Sequence, residues 1–127
     1  MVDFLDAVDS DAGKKEPTPV TLVSNGSDIM GTDYETVAAS QTNQALGATG
    51  AAGDILAGLL VIPATTDPGA VSIKDGAGAA ITVFAGGASS VSSLVPFFIP
   101  LGVNSVSGAW SVTTGANLSV IAVGAFT

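Results

Sequence analysis

The stretch Ala70-Val71-Ser72-Ile73-Lys74-Asp75-Gly76, followed by Ala80-Ile81-Thr82-Val83-Phe84, decides how the rest of the chain is read. Apolar and polar residues alternate through 70–74, the period of a strand with one face in a core. Asp75-Gly76 supplies a turn, because Gly readily adopts, and Asp tolerates, the left-handed backbone of tight hairpins. The run 80–84 is β-branched and aromatic, and Gly86-Gly87 ends it. Together these residues predict a β-hairpin.

Working outward, similar runs recur at 93–99, 105–112 and 118–123. They are separated by the turn signals Pro100-Leu101-Gly102 and Thr114-Gly115-Ala116-Asn117. Upstream, 55–62 reads as another strand, apolar on both faces except at Gly58. One of its faces belongs to the core, and the other needs cover from a neighbouring strand, the N-terminal segment or another subunit. The stretch 36–46 fits a polar helix or an edge strand, and the strand is the reading adopted. Pro96 and Pro100 flank Phe97-Phe98-Ile99, which puts that run at an edge or a sheet corner, since Pro cannot donate to a central ladder. Phe97 and Phe98 are neighbours and face opposite sides of a strand, so one of them is a candidate partner contact. Short strands with turn signals about every ten residues indicate a sandwich or barrel rather than βαβ units. The predicted fold is all-β: a single β-sandwich with an extended N-terminal arm.

Charge separates that arm from the body. The 127 residues carry 11 Asp and Glu against three Lys, with no Arg, His or Cys, for a net charge of −8. Residues 1–35 hold eight of the acids and two of the lysines, a net −6, whereas 36–127 hold only Asp54, Asp67, Asp75 and Lys74, a net −2. The segment around Lys14-Lys15-Glu16-Pro17-Thr18-Pro19 has too few large apolar residues to fold alone, and its prolines impose extended geometry. We therefore divide the chain into an acidic arm, 1–35, and a β-sandwich body, 36–127. Within the arm Met1, Phe4, Leu5 and Val8 fall at i, i+3, i+4 and i+7, one face of a short helix with Asp3, Asp6 and Asp9 turned away. The bland alternative is chance periodicity in a frayed terminus, since so short a helix is marginal alone. The functional expectation is that these four residues hold the arm on a partner or a neighbouring copy.

The composition also narrows the chemistry. Without Arg, and with three Lys in all, the chain lacks the positive charge that nucleic-acid binding requires. Without His or Cys it lacks the usual proton shuttle, thiolate chemistry and the common zinc ligands. No cofactor or metal is expected. The acidic N-terminus does not read as a signal peptide, and the uncharged stretch 76–127 is broken too often by Gly, Ser, Thr, Asn and Pro to be a membrane helix.

Four motifs invite a sharper reading. Gly47-Ala48-Thr49-Gly50-Ala51-Ala52-Gly53 is glycine-rich, but Asp54 follows where a phosphate loop needs Gly-Lys-Ser/Thr, so a flexible connector is the better account. Asp9-Ser10-Asp11-Ala12-Gly13 begins like a calcium loop, yet the twelfth position is Val20 rather than Glu. Asp33 and Glu35, at alternate strand positions, could pair as acid and base, as Ser72 and Lys74 could as nucleophile and base; surface charge is the simpler reading of both. Trp110 alternates with Val112 and reads as core, with a sugar-stacking platform as the alternative.

The segments Gly53-Asp54-Ile55-Leu56, Pro63-Ala64-Thr65-Thr66, Val71-Ser72-Ile73-Lys74-Asp75-Gly76, Pro100-Leu101-Gly102 and Ser111-Val112-Thr113-Thr114-Gly115-Ala116-Asn117-Leu118-Ser119-Val120 together resemble small jelly-roll structural proteins of tailed-bacteriophage virions. The resemblance spans about 46–127 and leaves out the acidic arm. It implies a decoration or cement protein on the outer surface of the capsid, made in the host cytoplasm, bound to the major capsid protein and to copies of itself as a homotrimer. It carries over no catalytic residue. The expectation from another functional class is a carbohydrate- or receptor-binding module of a head fibre or tail, using Trp110, Tyr34 or an exposed Phe. An enzyme ranks last.

Overall fold

A computed structural model describes residues 33–127. The expectations placed on Met1, Phe4, Leu5, Val8 and the rest of 1–32 lie outside the described residues. The described chain forms eight strands: β1 (Asp33–Val37), β2 (Gln44–Ala45), β3 (Ile55–Pro63), β4 (Val71–Asp75), β5 (Ile81–Phe84), β6 (Phe97–Asn104), β7 (Trp110–Thr114) and β8 (Leu118–Ala125).

The predicted hairpin is β4–β5, with Gly76 at φ 54° in its turn. It is the tip of a larger pattern. Strands placed symmetrically about it pair antiparallel: β3 with β6, β2 with β7 and β1 with β8. This long wound hairpin then closes on itself, since β3 also pairs with β8 and β4 with β7. The result is two four-stranded sheets, β1-β8-β3-β6 and β2-β7-β4-β5, the strand order of a jelly roll.

The inner faces meet in one core. Val37, Leu56, Leu59, Val61, Leu118, Val120 and Ala122 enter it from the first sheet; Val71, Ile73, Trp110 and Val112 enter from the second. Burial alternates strictly along β7 and β8, as the sequence period requires. In β3 the alternation slips at Gly58-Leu59, where a register shift against both neighbours marks a bulge.

Three boundaries differ from the sequence reading. The run 36–46 is not one strand: β1 and β2 lie in different sheets, and 38–43 turns the corner between them with Ser40 at φ 59° and Asn43 at φ 49°. Thr114 ties that corner down, its hydroxyl donating to the Ala38 carbonyl (2.6 Å) and accepting from Gln41 N (3.0 Å). Pro100-Leu101-Gly102 is not a turn, because β6 runs through it to Asn104. β6 is the edge strand of its sheet, where a missing N–H is tolerated, so the edge placement holds while the turn does not. Residues 105–109 are not strand, because Asp75 captures their backbone: its carboxylate accepts from Val106 N (2.9 Å) and Ser107 N (2.9 Å). The division at 35/36 also falls inside β1, so the first sheet takes in Asp33, Tyr34 and Glu35, which charge alone had assigned to the arm.

Candidate interaction face

The two sheets are alike inside and unlike outside. On the outer face of β1-β8-β3-β6 one row of cross-strand neighbours runs Thr36, Ile121, Leu60, Phe98. The next runs Tyr34, Val123, Gly58, Pro100, and Ile62 opposite Ser119 lies beyond. These rows hold no acidic or basic side chain. Tyr34 is 72% exposed and Phe98 50%, with Leu60, Ile62, Ile121 and Val123 partly exposed between them. Four strands at about 4.8 Å spacing make the face about 15 Å wide.

Gly58 shapes this face. A Cβ there would collide with the Phe98 ring and approach the Ile99 carbonyl at 2.7 Å. The phenyl ring therefore lies over the glycine instead of standing off the strand, which flattens the edge of the patch. Phe98 is thus the outward member of the aromatic pair. Phe97 turns inward, packs against the core and meets Phe84 edge-to-face at 5.4 Å between ring centroids, so as a partner contact it is replaced by its neighbour.

The outer face of the second sheet is polar. Its rows run Thr113, Ser72, Thr82 and Ala45, Ser111, Lys74. Thr113 is engaged with Asn43, accepting from its backbone N at 2.8 Å and donating to its side-chain oxygen at 3.2 Å. Ser72 and Lys74 share this face, as the alternation predicts, on an open sheet surface rather than in a cleft.

The remaining candidates serve structure. Trp110 is 4% exposed and its indole N–H donates to the Asp54 carbonyl at 3.0 Å, so it is core and cannot act as a stacking platform. Asp33 and Glu35 line a shallow open recess with Tyr34, Gly47 and Phe126, but both carboxylates are engaged. Glu35 accepts from Gly47 N (2.8 Å) and Gln44 Nε2 (3.0 Å), and Asp33 from Phe126 N (3.0 Å). Among the described residues no group of three or more acidic, His or Cys side chains converges as a metal site would require. No helix among them is long and apolar enough to cross a membrane.

Sequence reasoning missed Asp54. The glycine-rich segment before it is a clamped loop rather than a flexible connector. The buried carboxylate accepts from Ala51 N (3.1 Å), Thr127 N (3.2 Å) and the Thr127 hydroxyl (3.1 Å), while the Thr127 carbonyl accepts from Thr49 N and Gly50 N at 3.0 Å each. The signal in the sequence was the position itself, one acid between a glycine loop and an apolar strand, where a carboxylate collects loose N–H groups. No family model, curated protein or solved structure matches the chain.

Proposed function

We propose that this is a virion structural protein: a decoration or cement protein that binds the outside of a phage capsid and stabilises the contacts between capsomers. The observation that carries the reading is the uncharged, apolar outer face of β1-β8-β3-β6 in a chain of net charge −8. A solvated antiparallel sheet ordinarily alternates apolar-in and polar-out, as the second sheet does. The first sheet keeps Leu60, Ile62, Ile121 and Val123 on its outer side, which suits a surface that other protein covers. Acidity without arginine suits a position outside a DNA-filled shell, where the protein never meets phosphate. The jelly-roll order adds fold-level analogy only, since the same architecture serves capsid and lectin domains alike.

On this reading the protein does no chemistry. It adds contact area where shell subunits meet and shifts shell opening by mass action, because it binds the closed arrangement in preference to the opened one. The major capsid protein and further copies of the chain, arranged as a trimer, are the proposed partners. The glycan-binding alternative loses its central residue with Trp110 in the core and rests on Tyr34 and Phe98 alone. The test is to add purified protein to undecorated shells and follow their melting temperature. A rise that saturates with added protein supports cementing; saturable binding with no rise removes it, and so does an absence of binding.

A further inference from the structure

The apolar outer face raises the question of what it meets in the free protein, before any shell is present. We propose that it packs on the same face of a second copy, about a two-fold axis that runs parallel to the strands between β8 and β3. The inference rests on reading this face as an interface, and it names the partner. Bulk is the first argument. The axis reverses the strand order, so β1 lies over the partner's β6 and β8 over the partner's β3. In the first row Phe98 then meets the partner's Thr36, and Ile121 meets the partner's Leu60; in the second Tyr34 meets the partner's Pro100, and beyond it Ile62 meets the partner's Ser119. Each aromatic ring faces a small or flat residue, and every contact occurs twice, as a two-fold interface requires. An axis across the strands, between the two rows, would instead set Leu60 over the partner's Gly58, where a Phe98 ring already lies.

Charge is the second argument. A chain of net charge −8 repels its own copies wherever acids face one another. On this face none do: Asp33 and Glu35 alternate with Tyr34 and turn to the other side of β1, where Phe126 N and Gly47 N donate to them. The outer face of the second sheet presents Ser72, Thr113 and Lys74 and offers no apolar rows to bury. Area then sets the strength of the pair. The face is about 15 Å wide, and the 8 residues of β8 make it about 27 Å long, so about 400 Å² is covered on each copy and about 800 Å² in all. Stable complexes bury about 1,200 Å² or more, which makes this pair a transient one that fills as concentration rises. A two-fold contact closes at two copies, so the trimer proposed on the shell uses other surfaces, and the pair parts before the face docks.

The chain has no cysteine, so Asn104→Cys places a single thiol at the rim of the face, at the end of β6, and Ser72→Cys places a control on the opposite sheet. A nitroxide is attached to each full-length variant, with circular dichroism checking the fold. The labelled chain is mixed with isotope-labelled parent at about 500 µM, and amide relaxation is read in the parent. The axis sets the nitroxide about 10 Å from the start of the partner's β1 and about 17 Å from the partner's β6. The expected result is that the amides of Asp33, Tyr34 and Glu35 broaden about tenfold more than those of Val103 and Asn104. The broadening grows with concentration and disappears when the labelled copy also carries Ile121→Asp, and the Ser72→Cys label gives none. Absence of broadening, equal broadening from both labels, or broadening concentrated on β6 overturns the proposal. Shell binding is read separately on the unlabelled parent, so docking without self-contact rejects only the pair, and self-contact without docking rejects only the functional reading.

Discussion

Leu59 and Leu60 are adjacent in β3 and belong to different worlds. Leu59 is fully buried between the sheets, whereas Leu60 lies on the outer face between Ile121 and Phe98. The same division holds for the sheets as wholes: their inner faces are interchangeable in character, and their outer faces are opposite, apolar on β1-β8-β3-β6 and polar on β2-β7-β4-β5. Folding explains the inner faces, because burying them is the dominant favourable term. It does not explain the outer ones, where apolar residues gain nothing from the fold beyond contact with their own neighbours. The asymmetry between the outer faces is therefore where function is to be sought.

The comparison breaks most sharply at the core. Leu59→Ala is expected to destabilise the fold by about 2–5 kcal/mol, through lost transfer energy and the cavity left behind. Leu60→Ala one residue away should cost less, about 1–2 kcal/mol, since that side chain is only partly withdrawn from water. Urea unfolding of the two variants measures the difference, and equal losses would mean that the outer face is part of the folding core. Next in size is Asp54→Ala, which leaves the Ala51 and Thr127 N–H groups and the Thr127 hydroxyl without their acceptor, for about 1–3 kcal/mol in the same assay.

Much of this was legible in the chain. Alternation places β4, apolar or β-branched runs bounded by turn signals place β3, β5 and β8, the adjacent aromatics at 97 and 98 fall on opposite faces, and Trp110 reads as core. What escaped was non-local. Nothing near Ser40 announces a left-handed backbone, and the corner it forms with Asn43 is fixed by Thr114, far along the chain. Ser105-Val106-Ser107 alternates like a strand, but Asp75 takes the N–H groups of Val106 and Ser107 and leaves Val106 81% exposed. The patch itself was half visible, as a strand apolar on both sides. Its extent needed the register, which brings Tyr34, Ile121 and Phe98 beside Leu60 from three other strands.

Smaller effects sharpen the contrast. Gly58→Ala displaces the Phe98 ring, and we expect about 1–3 kcal/mol of destabilisation from the overpacking, together with a rougher docking face. Loss of shell affinity beyond what the stability change explains would identify the flatness of the ring as the feature that matters. At the opposite end of the size scale is pH. Backbone N–H donation from Ser107, then Val106, holds the Asp75 carboxyl below its ordinary value of 3.8. A carboxyl depressed on folding contributes stability that is fully present above the unfolded value and is lost as pH falls through the lower folded one. Amide exchange at Val106 and Ser107 should therefore accelerate, relative to its intrinsic rate, only below about pH 4, and Asp75→Asn should remove that acid dependence. Both residues lie away from the outer-face rows, so shell binding should not follow this titration.

The most direct test is a matched pair of charge insertions, one on each outer face. Ile121→Asp puts an acid at the centre of the apolar rows, and Thr113→Asp puts one at the corresponding depth of the polar sheet. Each is first shown to be folded by its near-ultraviolet circular dichroism, and both are then co-sedimented with undecorated shells. The account predicts that the Ile121 variant loses binding by about a hundredfold or more, of the order of 3 kcal/mol for a desolvated charge, while the Thr113 variant binds as the parent does. Full binding by the Ile121 variant, or loss confined to the Thr113 variant, would contradict it.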